Sequence, residues 1–197
     1  MKKRIYTLRE RAVQQDETRK RIVEATASLH AEVGPAATTI SAIAERAGVQ
    51  RLTVYRHFPD DADLFRACSA LFEERVPPPD GALWNQVAEP AERVRTALTA
   101  LYEYYEAGAP MMAHVLRDAE RLPVLQDVLA STESYMTSMA ADLAAGWHVA
   151  PGAQLLFGGA LALSLDFWSW RSLAHSGVSP ADAAILMTRV IAASAAG

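Results

Sequence analysis

The sequence has a single cysteine, Cys68, and few histidines, none of which is spaced like a metal ligand. One cysteine excludes an internal disulfide, which fits a reducing compartment, so we expect a cytoplasmic protein. The histidines are His30, His57, His114, His148 and His175. We therefore predict neither a metal site nor a cofactor.

Long apolar runs are also missing. The longest stretch, Gly152 to Leu165, is interrupted by Gln154 and Ser164 and is followed by Asp166. A membrane span needs about 18 or more apolar residues with few or no charges, so we interpret this stretch as a buried helix. The basic N-terminus has no apolar run behind it, which predicts that it is not a secretory signal.

Motifs of common enzymes are lacking as well. The sequence contains no Gly-x-Ser-x-Gly elbow, no glycine-rich phosphate loop and no notable Cys–His pairing. We predict that the protein is not an enzyme. A small helical enzyme remains a weaker alternative, and a helical-bundle module that binds proteins without binding DNA is another.

Positive charge is concentrated near the N-terminus. Residues 1–58 hold eleven Lys and Arg against six Asp and Glu, whereas residues 59–197 hold eight against seventeen, for a net charge of −4. A basic end on an acidic body is typical of a small nucleic-acid-binding domain joined to an unrelated one. A solvated helical surface with a basic tail is the alternative, because charge patterning indicates partners rather than fold.

Helical periodicity predicts an all-α fold. Apolar residues recur at three- and four-residue steps from Ile22 to Val33, and Gly34 with Pro35 then ends that helix. We predict helices at 18–33, 40–47, 51–58, 61–75, 86–107, 110–119, 123–146, 151–176 and 180–195.

A proline-rich segment, "VPPPDG" (Val76 to Gly81), marks a linker because three consecutive prolines cannot continue a helix. We expect a basic arm over 1–17 that is flexible or extends the first helix, and a three-helix domain over 18–60. A connecting helix with the linker follows over 61–80, and a helical bundle over 81–197.

Residues 39–58 have the pattern of a helix-turn-helix. Thr39 suits the N-cap of the first helix, and its hydroxyl and backbone N–H could also meet a phosphate. Gly48 allows the left-handed backbone of a sharp turn. Ile43 and Val54 are apolar where the two helices must face a small core, and Phe58 extends that face by one turn.

Side chains placed at 100° per residue give the second of these helices a polar, basic and aromatic outer surface. Arg51 matches guanine acceptors in the major groove, and Leu52 or the Thr53 methyl matches a thymine methyl. Tyr55 and His57 suit phosphate oxygens, which position a protein without reading the base sequence. The alternatives are a partly buried Tyr55 and a His57 that stabilises the helix C-terminus.

The segment "TTISAIAERAGVQRLTVYRHFPDDADLF" resembles the DNA-binding segment of the TetR family of transcriptional regulators, from about Thr18 to Arg75. The resemblance implies a sequence-specific regulator with a helix-turn-helix domain, a C-terminal domain over 81–197 for a small molecule and for dimerisation, and a homodimer. Repression relieved by ligand is the family's common mode, so a repressor is expected. The residues implied to face DNA are Thr39, Ser41, Gln50, Arg51, Leu52, Thr53, Tyr55 and His57, and helical geometry adds Arg56.

One position departs from the family's pattern. Members commonly carry Lys or Arg at the start of the fourth helix, where it meets a phosphate, whereas this sequence has Asp61 within "PDDAD". A carboxylate there repels DNA, so either the contact is absent or the basic arm compensates for it. The candidates for compensation are Lys2, Lys3, Arg4, Arg9 and Arg11.

Aromatic and methionine residues are spread over the helices of the C-terminal half. Most residues of this kind belong to a core, but a mostly apolar pocket between helices is the functional interpretation. It predicts an apolar or aromatic effector, oriented by His114, Asp166 or Tyr105. The predicted ligand contacts are Tyr102, Tyr105, Met112, His114, Met136, Met139, Phe167 and Trp168.

The last two predicted helices are apolar nearly all round, so they must be buried. An isolated chain would expose a large apolar patch there. We therefore expect a symmetric homodimer that packs these helices into a four-helix interface.

Overall fold

A computed structural model describes residues 2–196 of the chain, with the side chains of residues 10–196. Within these residues the fold is all-α, as predicted: ten α-helices and one 3-10 turn (Pro35–Ala37), with no strand. The helices are α1 (Lys2–Glu32), α2 (Ile40–Ala47), α3 (Arg51–His57), α4 (Asp61–Arg75), α5 (Ala82–Asn85), α6 (Pro90–Asp118), α7 (Pro123–Ala144), α8 (Gln154–Leu165), α9 (Phe167–His175) and α10 (Pro180–Ala196).

The helices form two compact units, each built from two stretches of chain. The N-terminal unit comprises Met1–Arg75 and Ala109–Leu129, and the C-terminal unit comprises Val76–Gly108 and Ala130–Gly197. Helix α6 contributes residues to both units. The N-terminal unit therefore includes a segment that lies far along the sequence from the helix-turn-helix.

The core of the N-terminal unit lies between α1, α2, α3 and α4. Apolar residues at helical spacing on each of these helices face one another, because that is how amphipathic helices remove their apolar stripes from water. Cys68 lies in this core, where burial raises the pKa of its thiol to about 12. The core includes Ile22, Val23, Leu29, Ile43, Ala44, Val54, Phe58, Leu64 and Cys68.

The turn between α2 and α3 follows the sequence expectations. The Thr39 hydroxyl accepts a hydrogen bond from the backbone N–H of Ala42 at 3.1 Å and caps α2. Gly48 has a left-handed backbone with φ of 65°, and its N–H donates to carbonyls of the last turn of α2. Val49 is partly buried against the core. The helix-turn-helix geometry is thus set by residues that the sequence alone identifies.

In the C-terminal unit, the helix predicted over 151–176 is broken at Asp166. Its carboxylate accepts from the backbone N–H of Ser169 at 2.7 Å and starts α9. The hydroxyls of Tyr102 and Tyr105 donate to the carbonyls of Ser164 and Leu165 at 2.8 and 2.7 Å. The break is stable because donors on α6 satisfy buried carbonyls that lose their helical partners.

Helix α1 begins at Lys2, so residues 2–17 extend the first helix, which is one of the two alternatives expected for the arm. Two other elements differ from the sequence expectations, of which α5 is an additional short helix. The helices predicted over 86–107 and 110–119 are one helix, α6, with Pro110 in its interior. A proline in a helix interior removes one hydrogen bond, and Tyr105 and Ala113 on either side of it are buried. Across residues 2–196, no helix is both long and apolar enough to cross a bilayer.

Candidate nucleic-acid interface

Helix α3 presents the predicted surface to solvent. Val54 is fully buried, whereas Leu52 is 74 % exposed and Tyr55 is 46 % exposed. Arg51 and Arg56 are exposed, and Thr53 and His57 are partly buried. Leu52 is thus accessible for the thymine contact that the sequence predicts.

The start of α2 and the residue before α3 lie on solvent as well. Thr39, Ser41 and Gln50 are exposed. The Thr39 hydroxyl accepts the capping hydrogen bond from Ala42, and its own O–H proton remains available to a phosphate oxygen. All nine residues predicted to contact DNA are thus at least partly accessible, and their contact with DNA stays a prediction.

Two arginines of α1 bind the C-terminal ends of α2 and α3, a role that was not predicted from the sequence. Arg19 donates to the carbonyl of His57 at 3.0 Å, and its guanidinium lies 4.0 Å from the centroid of the Phe58 ring. Arg21 donates to the carbonyl of Ala47 at 3.2 Å. Cations at helix C-termini satisfy free carbonyls and oppose the negative end of the helix dipole. Both arginines therefore fix α2 and α3 against α1.

The surroundings of His57 favour the neutral form of its imidazole. Partial burial, followed by the charges of Arg56 and Arg19, holds the pKa of its imidazole below the usual range. A neutral imidazole still offers an N–H to a phosphate oxygen. The positive charge of the α3 surface is therefore supplied by arginine.

Arg46 and Arg75, two other basic residues of the N-terminal unit, form ion pairs. Arg46 binds the Glu32 carboxylate, which also accepts from the Ser28 hydroxyl. These hydrogen bonds lower the pKa of Glu32 to about 2. Arg75 pairs with Glu24. Arg51 and Arg56 form no ion pair with any side chain that the structure describes.

The start of α4 is acidic, and one of its backbone N–H groups already donates to a carboxylate. Asp60 accepts from the backbone N–H of Ala62 at 2.9 Å, so a carboxylate occupies a position that a phosphate could otherwise take. Asp63 pairs with Arg66 at 2.7 Å, and Asp61 is exposed. Of the residues proposed to compensate, Arg11 is exposed, whereas the side chains of Lys2, Lys3, Arg4 and Arg9 lie outside the described residues.

The end of α6 binds the loop between α1 and α2. The buried Asp118 carboxylate accepts from the backbone N–H of Ala36 at 2.9 Å and from Arg117 at 2.8 Å. Arg117 also donates to the carbonyl of Val33 at 3.2 Å. Gly34 has φ of 94°, and a Cβ there would clash with the Arg117 guanidinium. This contact holds the helix-turn-helix to α6, and only the tertiary structure reveals it.

The residues predicted to contact a ligand are divided between the two units. Met112 and His114 belong to the N-terminal unit, where the His114 Nδ1 lies 3.2 Å from the carbonyl of His30. In the C-terminal unit Tyr102, Tyr105, Met139 and Phe167 are buried, Met136 is partly buried and Trp168 is exposed. Their contact with a ligand stays a prediction.

An aromatic cluster surrounds the α8–α9 break in the C-terminal unit. The Tyr105 and Phe167 ring centroids lie 5.4 Å apart, and Trp170, which sequence reasoning did not select, lies 5.6 Å from both. Burial, followed by the neighbouring Tyr102, raises the pKa of Tyr105 above its usual range. Its hydroxyl is therefore a constant donor at neutral pH.

Helices α8 and α10 retain exposed apolar side chains. Leu155 is 86 % exposed and Leu156 65 %, and Leu163, Leu186 and Val190 are exposed as well. Gly158 and Gly159 on α8 have open space where a Cβ would be. This face has the character of a surface that a partner covers.

Comparison with known families gives one match over the helix-turn-helix. A family model described as bacterial regulatory proteins, tetR family, matches residues 22–68. No curated protein sequence matches the chain.

Solved structures share the fold at low sequence identity. A TetR-like transcriptional regulator from Rhodococcus sp. RHA1 has a TM-score of 0.63 at 18% identity, covering 88% of this chain and 93% of that one. The TetR family transcriptional regulator PfmR from Thermus thermophilus has a TM-score of 0.62 at 22% identity, covering 87% and 97%. A tetR-family regulator from Streptomyces coelicolor has a TM-score of 0.56 at 17% identity, covering 91% and 79%.

Proposed function

We propose, from the premise that this chain belongs to the TetR family of transcriptional regulators, that it is a repressor released by an apolar or aromatic small molecule. The protein is a DNA-binding transcriptional regulator, and regulators of this family are not enzymes. The observation that carries the proposal is the exposed surface of α3, which α1 fixes by two arginines at helix ends.

In this proposal α3 enters the major groove. Arg51 binds guanine acceptors, Leu52 contacts a thymine methyl, and Tyr55 donates to a phosphate. The exposure of the α3 side chains supports these roles, as does the absence of an ion pair for Arg51 and Arg56 among the described side chains. The remaining proposed contacts are Thr39, Ser41, Gln50, Thr53 and His57.

The regulator acts as a homodimer through α8 and α10. The exposed leucines of α8 support this interface, because a second copy would remove them from water. Two copies would read half-sites separated by one helical turn of DNA, about 34–36 Å, or a multiple of it. Gel filtration that shows a stable monomer at micromolar concentration would contradict the dimer.

The effector binds the C-terminal unit, where Tyr102, Tyr105, Met136, Met139, Phe167 and Trp168 are the proposed contacts. It releases DNA only if it binds two conformations with different affinity. A cytoplasmic location follows from operator binding. The ligand proposal fails if compounds that bind the protein leave operator affinity unchanged.

The experiment that tests DNA binding is selection of sequences from a random duplex pool by the full chain, followed by titration of the selected duplex over a range of salt. Arg51→Ala is expected to relax preference at one base position and to cost about 1–3 kcal/mol. Tyr55→Phe is expected to weaken binding to all duplex sequences to a similar extent. Arg95→Ala, a change on α6 that breaks only an exposed ion pair with Glu92, is the control and leaves affinity unchanged.

If the wild type shows no salt-dependent binding to duplex DNA, the proposed regulator function is contradicted and a protein-interaction module is favoured instead. Phosphate contacts require affinity to fall steeply as salt rises.

A further inference from the structure

Trp84 carries a buried hydrogen-bond donor that no acceptor of the chain satisfies. The residue lies in α5 and is 1% exposed. Its indole Nε1 is the one buried side-chain nitrogen or oxygen without a hydrogen-bond partner among the residues that the structure describes. Folded proteins leave few such donors unpaired, because burial removes the N–H from water without replacing its hydrogen bond. The unpaired donor therefore indicates an acceptor from outside the chain.

Other aromatic donors of the C-terminal unit are already engaged. The hydroxyls of Tyr102 and Tyr105 donate to backbone carbonyls at the α8–α9 break. The indole of Trp147 donates to the carbonyl of Leu143 at 3.0 Å. A ligand that accepted a hydrogen bond from one of these groups would first have to break an existing one. Trp84 imposes no such cost, because its N–H has no partner to lose.

Gly81 leaves one edge of the Trp84 ring without a covering side chain. A Cβ at Gly81 would lie 3.7 Å from Cζ2 and 3.9 Å from Cε2 of Trp84, and Cε2 is the ring atom bonded to Nε1. Gly81 has a right-handed helical backbone with φ of −55°, so the turn does not require glycine. Leu83 and Asn85, on either side of Trp84, are exposed. The glycine thus provides access to a ring that lies close beneath the surface.

The charges along this segment favour a neutral acceptor. Residues 76–92 contain Asp80, Glu89 and Glu92 and no Lys or Arg. The next cation along the chain, Arg93, donates to four backbone carbonyls. A carboxylate buried beside the indole would find no free cation on this segment to offset its lost hydration. A neutral oxygen needs only the N–H.

We propose that the Trp84 indole N–H binds the carbonyl oxygen of a neutral, apolar small molecule in the C-terminal unit. The inference rests on the proposed function in that this molecule is the effector. It adds a ligand residue that the aromatic and methionine pattern of the sequence did not select, and it specifies that the effector carries an uncharged acceptor.

The test follows the four indole N–H groups of the isotope-labelled full chain by proton–nitrogen correlation NMR while acetophenone is added. Acetophenone combines an aromatic ring with one carbonyl acceptor, and ethylbenzene, of similar size but without an acceptor, is the matched probe. Each signal is assigned by its loss in a single tryptophan-to-phenylalanine variant. The Trp84 proton is expected to move downfield with acetophenone and not with ethylbenzene, whereas the bonded Trp147 proton stays in place.

The variant Trp84→Phe keeps an aromatic ring and removes the donor. It is expected to weaken acetophenone binding about fivefold, which is about 1 kcal/mol at 1.4 kcal/mol per tenfold, and to leave ethylbenzene binding unchanged. The control is Trp147→Phe, which removes a donor already bonded to Leu143 and keeps the wild-type ratio of the two affinities. Circular dichroism shows whether each variant is folded. If Trp84→Phe does not fold, the wild-type NMR shift decides.

A Trp84 proton that does not move with acetophenone overturns the inference, and this result includes the case in which an internal water already accepts from Nε1. Equal ratios of the two affinities in Trp84→Phe and wild type overturn it as well. The proposed function is tested separately by duplex titration without ligand. If the chain binds no duplex, the regulator function fails whatever the Trp84 signal shows.

Discussion

Asp118 is expected to be the most sensitive charged residue of the N-terminal unit. Its side chain is 2% exposed, and it joins α6 to the loop after α1 through the Ala36 N–H and the Arg117 guanidinium. The substitution Asp118→Ala removes both acceptors at once. The helix-turn-helix would then lose a contact that spans more than eighty residues of sequence.

The expected loss in free energy of unfolding is about 3 kcal/mol. Removing one partner of a buried ion pair typically costs 3–5 kcal/mol, whereas the N–H that loses its acceptor belongs to the exposed Ala36 and can bind water. The Arg117 side chain is 49% exposed, so water can solvate its guanidinium after the change. The total therefore lies at the low end of this range.

Urea unfolding followed by far-UV circular dichroism measures this change. All four tryptophans belong to the C-terminal unit, so tryptophan fluorescence would miss the N-terminal unit. For a slope near 2 kcal/mol/M, a loss of about 3 kcal/mol moves the midpoint by about 1.5 M. Hydrogen exchange of the Ala36 amide is expected to accelerate in parallel.

The matched control is Asp63→Ala, which breaks the pair with Arg66, because both of those side chains are more than half exposed. Exposed pairs contribute little to stability, so this variant should resemble the wild type. A midpoint for Asp118→Ala that equals the midpoint for Asp63→Ala would refute the reasoning.

Three further outcomes are expected. The hydrogen bonds from Arg117 and Ala36 hold the pKa of Asp118 below its ordinary value. The stabilising contribution of Asp118 is therefore present above about pH 4 and is lost as pH falls through the folded pKa. The urea midpoints of wild type and Asp118→Ala should converge in acid. Gly34→Ala should destabilise by about 2 kcal/mol or more in the same assay, because alanine is strained at φ of 94° and its Cβ would clash with the buried Asp118 carboxylate. Gly177→Ala, with φ of 81° but open space, should cost less. Tyr105→Phe leaves the buried Leu165 carbonyl without its donor and should cost about 1–2 kcal/mol, measured by tryptophan fluorescence; an unchanged midpoint would contradict that role.

The local geometry of the helix-turn-helix could be predicted from the sequence. Thr39 as a cap, Gly48 as a left-handed turn and Val54 as a core residue each follow from interactions within a few residues. The outward direction of Leu52 then follows from helical phase alone. Short-range interactions and the 3.6-residue period of the helix thus determined where α2 and α3 lie in the sequence and which side chains of α3 face solvent.

Interactions between distant residues were decided only by the tertiary structure. No pattern near Arg19 or Asp118 indicates that they bind the carbonyl of His57 and the N–H of Ala36. The break at Asp166 likewise depends on tyrosine hydroxyls of α6, about sixty residues away.

The sequence by itself determined the all-helical class, the turn between α2 and α3 and the face of α3 that meets solvent, because those properties depend on neighbours along the chain. The tertiary structure decided which donors satisfy the helix ends, that α6 continues through Pro110 and that α8 stops before Asp166. These features depend on partners that only folding brings within hydrogen-bond distance.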